Sequence, residues 1–439
     1  MQLEFRRTQR LLSWVVFFVA LIVYGLTVEP TGSFWDAGEY ISTSAKLQVG
    51  HPPGAPLFQL IGAFFSTFAF GDPAKIALMV NWVSVVSSAF TIFFTFKIIA
   101  NLGEKWVRSG LDNKQKEETL DPANTLAILG ASLVGALTLC FSDSFWFNAV
   151  ETEVYAMASL VMALLLWLGI EWTDRLTEPQ GERYLILISF VVGLVFGIQF
   201  MGFLAIPSIG LLYYFKKTER ITPKNFVLAN VAVVALLFLV YRFSLTYILK
   251  LFGVTEVFFV NEIGLPFNSG SVITGLALAA ILIYLIRFSK KRQLARLHLI
   301  AHMVLFLIIG FSTWLMLPIR ANAQTVVNEN NPEDARSLLA YYNREQYPAP
   351  ESPFYGSFYS DYFAPAGTDQ DGTPKYEKNK KLRRYEIVNY YEDAIQGPNP
   401  NHIGFLPRMW SASSAENYMR YYGRLDFSIN PRYQGDTEL

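Results

Sequence analysis

Long apolar segments separated by short polar loops dominate the first 318 residues of the chain. A helix needs about 20 mostly apolar residues to cross a bilayer. The fifth and sixth segments are short and meet near Gly202, so this pair is either two spans or one broken hairpin. We predict an all-α polytopic membrane protein with nine spans, at residues 11–28, 77–100, 124–141, 153–172, 184–199, 201–215, 226–246, 271–288 and 298–318.

One further apolar stretch, Pro52–Phe70, is assigned by the positions of basic residues, because Lys and Arg concentrate in cytoplasmic loops. If the N-terminus is cytoplasmic and this stretch does not cross, the basic loops all share the cytoplasmic side. We therefore predict an interfacial helix that begins at Pro52 and Pro53, and an outer location for the polar C-terminal region. The basic positions that this topology groups are Arg6, Arg7 and Arg10, with residues 105–116, 175–183, 216–224 and 290–296.

The N-terminus has the basic start of a signal peptide, but no small-x-small cleavage site follows. We expect it to be a retained membrane anchor.

Composition supports a membrane protein and excludes several other classes. Hydrophobic residues make up 52% of the chain and charged residues 16%, below the roughly 25% charged residues of soluble domains. Lys+Arg and Asp+Glu both number 36, so net charge does not indicate a nucleic-acid partner. The single Cys140 excludes an intramolecular disulfide framework and a cysteine metal site. The composition shift predicts two domains, a transmembrane domain at 1–318 and an extracytoplasmic region at 319–439.

The first polar cluster on the predicted outer side is the loop FWDAGEYISTSAKLQVGHPPG, with Asp36, Glu39, Lys46 and His51. Carboxylates beside aromatic residues at a membrane boundary must be hydrated, paired or functional, since a dry unpaired charge is costly. An ordinary solvated loop with an aromatic belt is an equal alternative.

The second cluster, SDSFWFNAVETEVY, places Asp143, Glu151, Glu153 and Tyr155 at the outer start of the fourth span. Residues two apart on a helix point to different sides, so we expect one of Glu151 and Glu153 to face the bundle and the other water or lipid headgroups. The alternative is that these acids only complement the helix dipole.

Two further clusters follow. Gln199 and Gly202 lie between the apolar halves of the fifth and sixth segments, where a broken helix would need a wet cavity or protein contacts, and simple glycine packing is the alternative. Arg320, after the last span, stands against the positive-inside bias and predicts an anionic partner, either a phosphate or one of the acids. Arg336, Arg344 and Lys46 compete with it for that role.

Other motifs give weaker indications of function. His298 and His302 have helical spacing, but no carboxylate lies within one turn, which favours a structural role over a metal site. The chain has no Walker loop and no dinucleotide-binding glycine motif. The charged run at 375–386 is expected to be a solvated face.

The chain also resembles a known family. WDAGEY with VGHPPG, FWFNAVETEVY, PIRA, and NENNPED with NREQY are similar to the DUF2723 family, abundant in Bacteroidetes. More broadly, a long acidic first outer loop followed by an interfacial helix resembles the GT-C glycosyltransferases that use polyprenyl-phosphate sugars, such as protein O-mannosyltransferases. This resemblance covers nearly the whole chain, although family members often extend further, so the chain is expected to be either a short form or a piece of a longer protein.

The resemblance implies that an acidic residue of the first outer loop is the catalytic base, here Asp36, with Glu39 as its neighbour or alternative. His51 and Glu153 match family motifs without an assigned role. Such an enzyme needs a cation for the leaving phosphate, for which Arg320 is the first candidate, and no sequence pattern requires a metal, so a divalent cation is left open. We expect inversion at the sugar carbon, because no second carboxylate is obviously disposed as a nucleophile.

The resulting expectation is a glycosyltransferase of the bacterial inner membrane that moves a sugar from a polyprenyl-phosphate donor to a protein or glycan hydroxyl. Two other classes compete with it. A secondary transporter or flippase would suit the spans and edge acids, although no inverted repeat is evident. A non-catalytic subunit of an envelope assembly would suit the tyrosine-rich C-terminal region.

Overall fold

The computed structural model describes residues 2–110, 120–178, 180–347, 355–356, 370–394 and 403–404, and residues 414, 417, 420 and 421. The chain divides into two compact units. One contains Met1–Thr255 and Ser271–Arg344, and the other contains Glu256–Gly270 and Glu345–Leu439. The predicted domain boundary after residue 318 stays a prediction.

Helices account for most of the described residues of the first unit. Short 3₁₀ segments at Thr67–Ala69, Pro73–Lys75, Phe200–Leu204 and Ser312–Leu315 join some of them, and a π-helical segment, Leu239–Tyr247, continues one into the next. In chain order the described α-helices are α1 Gln2–Leu26, α2 Ala37–Ala45, α3 Pro56–Ser66, α4 Ile76–Ser109, α5 Pro122–Cys140, α6 Asp143–Ala149, α7 Val154–Asp174, α8 Gly181–Val195, α9 Ala205–Lys217, α10 Pro223–Phe238, α11 Ile248–Asn261, α12 Ser269–Lys291, α13 Ala295–Phe311, α14 Met316–Asn322 and α15 Ala335–Asn343.

Seven helical segments of the described chain, rather than nine, are long and apolar enough to cross a membrane. This confirms an all-α multi-pass membrane protein and corrects the number of full-length spans. The predicted fifth and sixth spans form α8 and α9, of 15 and 13 residues, which are shorter than the usual spanning length. The seven are Phe5–Leu26, Pro73–Ser109, Pro122–Cys140, Val154–Asp174, Pro223–Tyr241, Ser269–Lys291 and Ala295–Asn322.

The break between α8 and α9 has a local cause. Gln199 adopts an extended conformation, and its side-chain oxygen accepts a hydrogen bond from the Met201 N–H at 2.5 Å. A glutamine that caps the next helical turn satisfies backbone groups that a continuous helix would have used. The broken-hairpin alternative is therefore the one observed.

Two other predicted elements need correction. The stretch expected to begin a helix at Pro52 instead turns through a cis Pro52–Pro53 bond, and helix α3 begins at Pro56, where proline suits the first helical position. The stretch is still too short to cross a membrane, since its helical segment is Pro56–Ala69.

The segment 247–270, predicted to be a loop between two spans, contains α11, because the π-helical turn continues the preceding helix instead of ending it.

Helix α4 lies at the centre of one core cluster, packed against α1, α5 and α7. A second cluster forms where α8 packs against α13 and α7. The α8–α13 contact depends on Gly193 and Gly310, since a Cβ on either would lie 2.3 Å from a backbone oxygen of the other helix. Small residues allow this close approach of membrane helices.

Charged residues from α1, α4 and α7 meet at one end of the bundle. Arg6 pairs with Glu104 at 3.0 Å, and Lys105 pairs with Asp174 at 2.8 Å. Helix α4 runs from this end to the loop that follows α1, where Asn81 hydrogen-bonds to the Glu29 carbonyl. The structure therefore groups the predicted cytoplasmic ends together; which side of the membrane they face stays a prediction.

The second unit contains the end of α11 and the described strands. β2 (Lys375–Asn379) pairs antiparallel with β3 (Arg384–Asn389), and β1 (Tyr355–Gly356) pairs with β4 (Ile403–Gly404). Asn261 and Tyr385 exchange two side-chain to backbone hydrogen bonds of 2.8 and 2.9 Å. The Tyr385 hydroxyl donates to the buried Glu256 at 3.2 Å, so the run predicted to be solvated has one buried position.

Candidate active site

The loop that follows α1, predicted to be outer, folds so that its acids meet His51. Asp36 precedes α2 and Glu39 lies in its first turn. The His51 Nδ1 lies 2.9 Å from Glu39 Oε2, and the His51 backbone N–H donates to Glu39 Oε1 at 2.6 Å. The other ring nitrogen, Nε2, lies 3.7 Å from Asp36 Oδ2. Glu39 therefore orients the imidazole, and the imidazole faces Asp36.

Packing around His51 holds this arrangement. A Cβ at Gly50 would lie 2.7 Å from Glu39 Oε1, so the glycine allows the carboxylate to reach the backbone. The Tyr341 hydroxyl of α15 donates to the Gly50 carbonyl at 2.6 Å. The Tyr40 ring lies 5.7 Å from the His51 ring. Residues of the loop itself and Tyr341, which follows the last span, thus support this arrangement.

The charges of His51 and Glu39 stabilise each other. The hydrogen bond to Glu39 raises the pKa of His51 against the opposing effect of burial. Burial opposes ionisation of Glu39, but hydrogen bonds from the His51 ring and backbone outweigh it and lower the Glu39 pKa. This pair therefore favours a protonated imidazole beside Asp36.

Both acids of the ETE segment are buried, contrary to the expectation that one would face water or headgroups. Glu151 is 3% exposed and Glu153 is 6% exposed. The prediction was wrong because it assumed helical geometry: these residues precede α7, and Glu153 is extended at its N-cap position. Its side chain makes no capping hydrogen bond with α7. The Ser33 hydroxyl donates to Glu151.

Among the acids of this region, Glu153 has the largest shift in pKa. Burial first, and then the charges of Asp36 and Glu151, raise its pKa to about 7. Together with the loop residues it forms what we call the acid–histidine cluster, defined as Asp36, Glu39, His51 and Glu153. A carboxyl group that titrates near neutrality beside an exposed carboxylate is typical of a functional site.

Arg320, the first of the predicted cations, bonds to backbone near the cluster. The half-buried Arg320 donates to the carbonyls of Leu47 and Lys46, the latter at 3.1 Å, at the end of α2. Among the described residues it has no acid partner, so the alternative that one of the acids pairs with it is not observed. Lys46 is exposed, and Arg344 caps α15. Arg336 lies in the first turn of α15.

Other candidates have structural partners. His302 Nδ1 lies 2.7 Å from the His298 carbonyl, and His298 Nδ1 lies 3.1 Å from the Ser289 hydroxyl. These contacts agree with the structural role expected for both. Gly202 packs against Val195 near the broken hairpin.

Three residues of the cluster have side chains that could bind a divalent cation. One ligand atom each from Asp36, Glu39 and His51 lies within 4.8 Å of the others, in the part of the chain described. Carboxylate oxygens and imidazole nitrogen suit Mg²⁺, Mn²⁺ or Zn²⁺. In the present geometry, however, Glu39 already satisfies His51 without a metal.

Two residues that position the site are not evident as site residues in the sequence. Asn81 of α4 donates to the Glu29 carbonyl at 2.6 Å and accepts from the Thr152 hydroxyl, tying both acidic segments to a membrane helix. The sequence feature that could have identified Asn81 is a polar amide within an apolar segment. Tyr341 lies far along the chain and gave no local signal.

Comparison with known proteins matches residues 36–222 to a family model described as the N-terminal domain of the protein O-mannosyl-transferase TMEM260. This match contains all four residues of the acid–histidine cluster. Residues 350–434 match a family of unknown function, DUF8416.

Two curated relatives carry the same name. The protein O-mannosyl-transferase tmem260 of Dictyostelium discoideum is 26% identical over 171 residues, 39% of this chain and 18% of the relative. TMEM260 of Mus musculus is 24% identical over 184 residues, 42% of this chain and 22% of the relative. The matches thus span about a fifth of those proteins. No solved structure matches the chain. The chain is a multi-pass membrane protein whose acid–histidine cluster lies in a segment similar to the N-terminal domain of protein O-mannosyl-transferases.

Proposed function

We propose that the chain is a membrane glycosyltransferase of the GT-C type that transfers mannose from a polyprenyl-phosphate donor to a hydroxyl group on the outer face of a bacterial inner membrane. The acid–histidine cluster carries this proposal, because it combines an exposed carboxylate, an oriented imidazole and a buried acid at the outer end of the bundle. The similarity of residues 36–222 to the N-terminal domain of protein O-mannosyl-transferases supports the choice of sugar.

Asp36 is the proposed base. Its side chain is 56% exposed, so an acceptor hydroxyl can approach it. As the acceptor oxygen attacks the sugar carbon, Asp36 takes the hydroxyl proton, the new carbon–oxygen bond forms, and the bond from that carbon to the phosphate oxygen breaks. Attack opposite the leaving phosphate inverts the configuration.

Two cations suit the leaving phosphate. Protonated His51 faces Asp36 directly, with its charge favoured by Glu39. Arg320 of α14 bonds to carbonyls at the end of α2, and its fork geometry suits phosphate oxygens. Electrostatic stabilisation of the departing phosphate is commonly among the largest contributions to such a reaction.

The test uses the purified full chain in liposomes with radiolabelled polyprenyl-phosphate mannose and an acceptor peptide. We expect covalent label on the peptide, and a fall of about 100-fold or more in turnover for Asp36→Asn, which cannot accept the proton. Asp72→Asn, an exposed acid paired with Lys75, is the matched control and should behave as the wild type. Movement of the donor across the bilayer without covalent transfer would support a flippase instead.

A further inference from the structure

A cavity of about 290 Å³ lies at the outer end of helices α4, α5, α6 and α7. Its volume is just below the range of small-molecule sites, so it suits part of a larger ligand. The cavity is separate from the acid–histidine cluster and none of its residues belongs to that cluster. It is lined by Ser88, Leu139, Ser142, Ser144, Phe145, Asn148, Tyr155, Ala156 and Ser159.

The lining is uncharged, and most of the surface it exposes is apolar. Four serine hydroxyls, one tyrosine hydroxyl and one amide alternate with three apolar side chains. A phosphate would require cations here, and none lines the cavity. The chemistry therefore suits an uncharged ligand with an apolar body and a few hydrogen-bonding groups.

Ser88 gives the second, independent indication of a ligand. It is 1% exposed, and its hydroxyl has no hydrogen-bond partner. A buried helix hydroxyl can bond to the preceding turn, as Ser132 does to the Ile128 carbonyl at 2.6 Å, whereas Ser88, like Ser44 of α2, has no such partner. A buried hydroxyl without a partner is costly, and a bound ligand in the cavity that it lines would supply one.

Tyr155 connects the cavity to the cluster. It is 46% exposed and follows Glu153 by two residues at the start of α7. Its hydroxyl also lies near enough to Tyr40 to affect that residue electrostatically, and the Tyr40 ring packs against His51. A chain bound in the cavity would thus continue towards Asp36.

We propose that this cavity is the acceptor subsite and holds an uncharged peptide segment next to the hydroxyl that receives the sugar. The inference rests on the proposed function. Ser88 is assigned the role of hydrogen-bonding the peptide, with Ser159 shaping the wall beside it.

The experiment compares Ser88→Ala and Ser159→Leu with the wild type. The probe is an acetylated, amidated Ser/Thr-rich peptide without charged residues, and the readouts are the acceptor KM and the ratio of transfer to donor hydrolysis. We expect Ser88→Ala to raise the acceptor KM about fivefold, the scale of one lost hydrogen bond. Ser159→Leu, which fills the cavity, should raise it more. The matched control is Ser132→Ala, a buried serine outside the cavity, which should leave both readouts unchanged.

A photoreactive version of the same peptide separates the possible failures. We expect a crosslink to α6 or to the start of α7 that unlabelled peptide competes away. A crosslink without any donor turnover would overturn the proposed function while the peptide site stands. An unchanged acceptor KM in both cavity variants, or a rise in the donor KM alone, would overturn the acceptor subsite and, in the second case, assign the cavity to the lipid donor.

Discussion

Glu39 acts on the candidate site through His51. Its two oxygens accept hydrogen bonds from the ring and the backbone of the same histidine, which fixes both the orientation and the charge of the imidazole. An amide at this position could keep one of these contacts but would not hold the charge. The residue is thus a positioning residue whose effect can be measured at the histidine itself.

We predict that Glu39→Gln lowers the pKa of His51. In the wild type the Glu39 hydrogen bond raises that pKa, so the ring stays protonated and unreactive to higher pH. Modification of His51 by diethyl pyrocarbonate, followed against pH by mass spectrometry, should begin at lower pH in the variant. Glu329→Gln removes a more weakly acting acid and should give a smaller shift. Equal profiles for the wild type and Glu39→Gln would contradict this role.

A second prediction concerns the contribution of Glu153 to the pH dependence of stability. Its folded pKa is raised from 4.5 to about 7, so the folded state binds more protons than the unfolded state between these values. Its contribution to stability is therefore complete below pH 4.5 and is lost as the pH rises through 7. The wild type should lose on the order of 1–3 kcal/mol over this range through this group.

Glu153→Gln should flatten the dependence of thermal unfolding on pH, measured in detergent between pH 4.5 and 8. A neutral amide carries no charge to bury, so the variant should be less sensitive to alkaline pH than the wild type. The control is Glu182→Gln, an exposed acid in the first turn of α8. A dependence as steep in Glu153→Gln as in the wild type would show that another group titrates.

At the scale of elements, the contact between α8 and α13 joins the broken hairpin to the last long helix. Gly193 and Gly310 face each other across it, and the buried Trp314 continues the contact by donating to the Phe196 carbonyl at 2.8 Å. The helices pack backbone to backbone here, so the interface has no room for a larger side chain.

We predict that Gly310→Leu separates these helices and destabilises the protein by about 1–3 kcal/mol or more, because its Cβ would meet the Phe190 carbonyl at 2.3 Å. Gly130→Ala is the matched control. A Cβ there would meet nothing within 4 Å, so the substitution should be neutral or stabilising by up to about 1 kcal/mol. Thermal unfolding in detergent measures both, and equal melting temperatures would show that the interface can open without cost.

At the scale of the whole molecule, the pair α8 and α9 does not affect the predicted sidedness. If both cross the membrane, or neither does, the number of crossings before the C-terminal region stays odd. The predicted topology therefore survives the correction from nine full-length spans to seven.

We predict that Thr31 and Val326 face the outside and Ser109 the cytoplasm, as the basic loops require. All three positions are exposed, and Val326 is 94% exposed. Single cysteines at these sites, in a Cys140→Ser background, should react with a membrane-impermeant thiol reagent on intact spheroplasts at Thr31 and Val326. Ser109→Cys should react only after lysis, and the reverse pattern would invert the whole assignment.

The sequence alone determined the class of the protein. The length of the apolar segments dictates helices that cross a bilayer, because unpaired backbone groups cannot be exposed to lipid. It also identified the segments that contain the candidate site, since acids at a membrane boundary need a reason to be there. Asp36, Glu39, His51 and Glu153 were all named from their local context.

Only the tertiary structure decided how these residues act. That Glu39 holds His51, that Glu153 is buried beside Asp36, and that Arg320 bonds to the backbone of Lys46 and Leu47 depend on segments distant in sequence. Hydrogen bonds and burial are set by neighbours in space, whereas the period and length of an apolar run are set within the run itself. For the same reason the sequence predicted membrane helices but missed Tyr341, whose contact with Gly50 exists only in the folded chain.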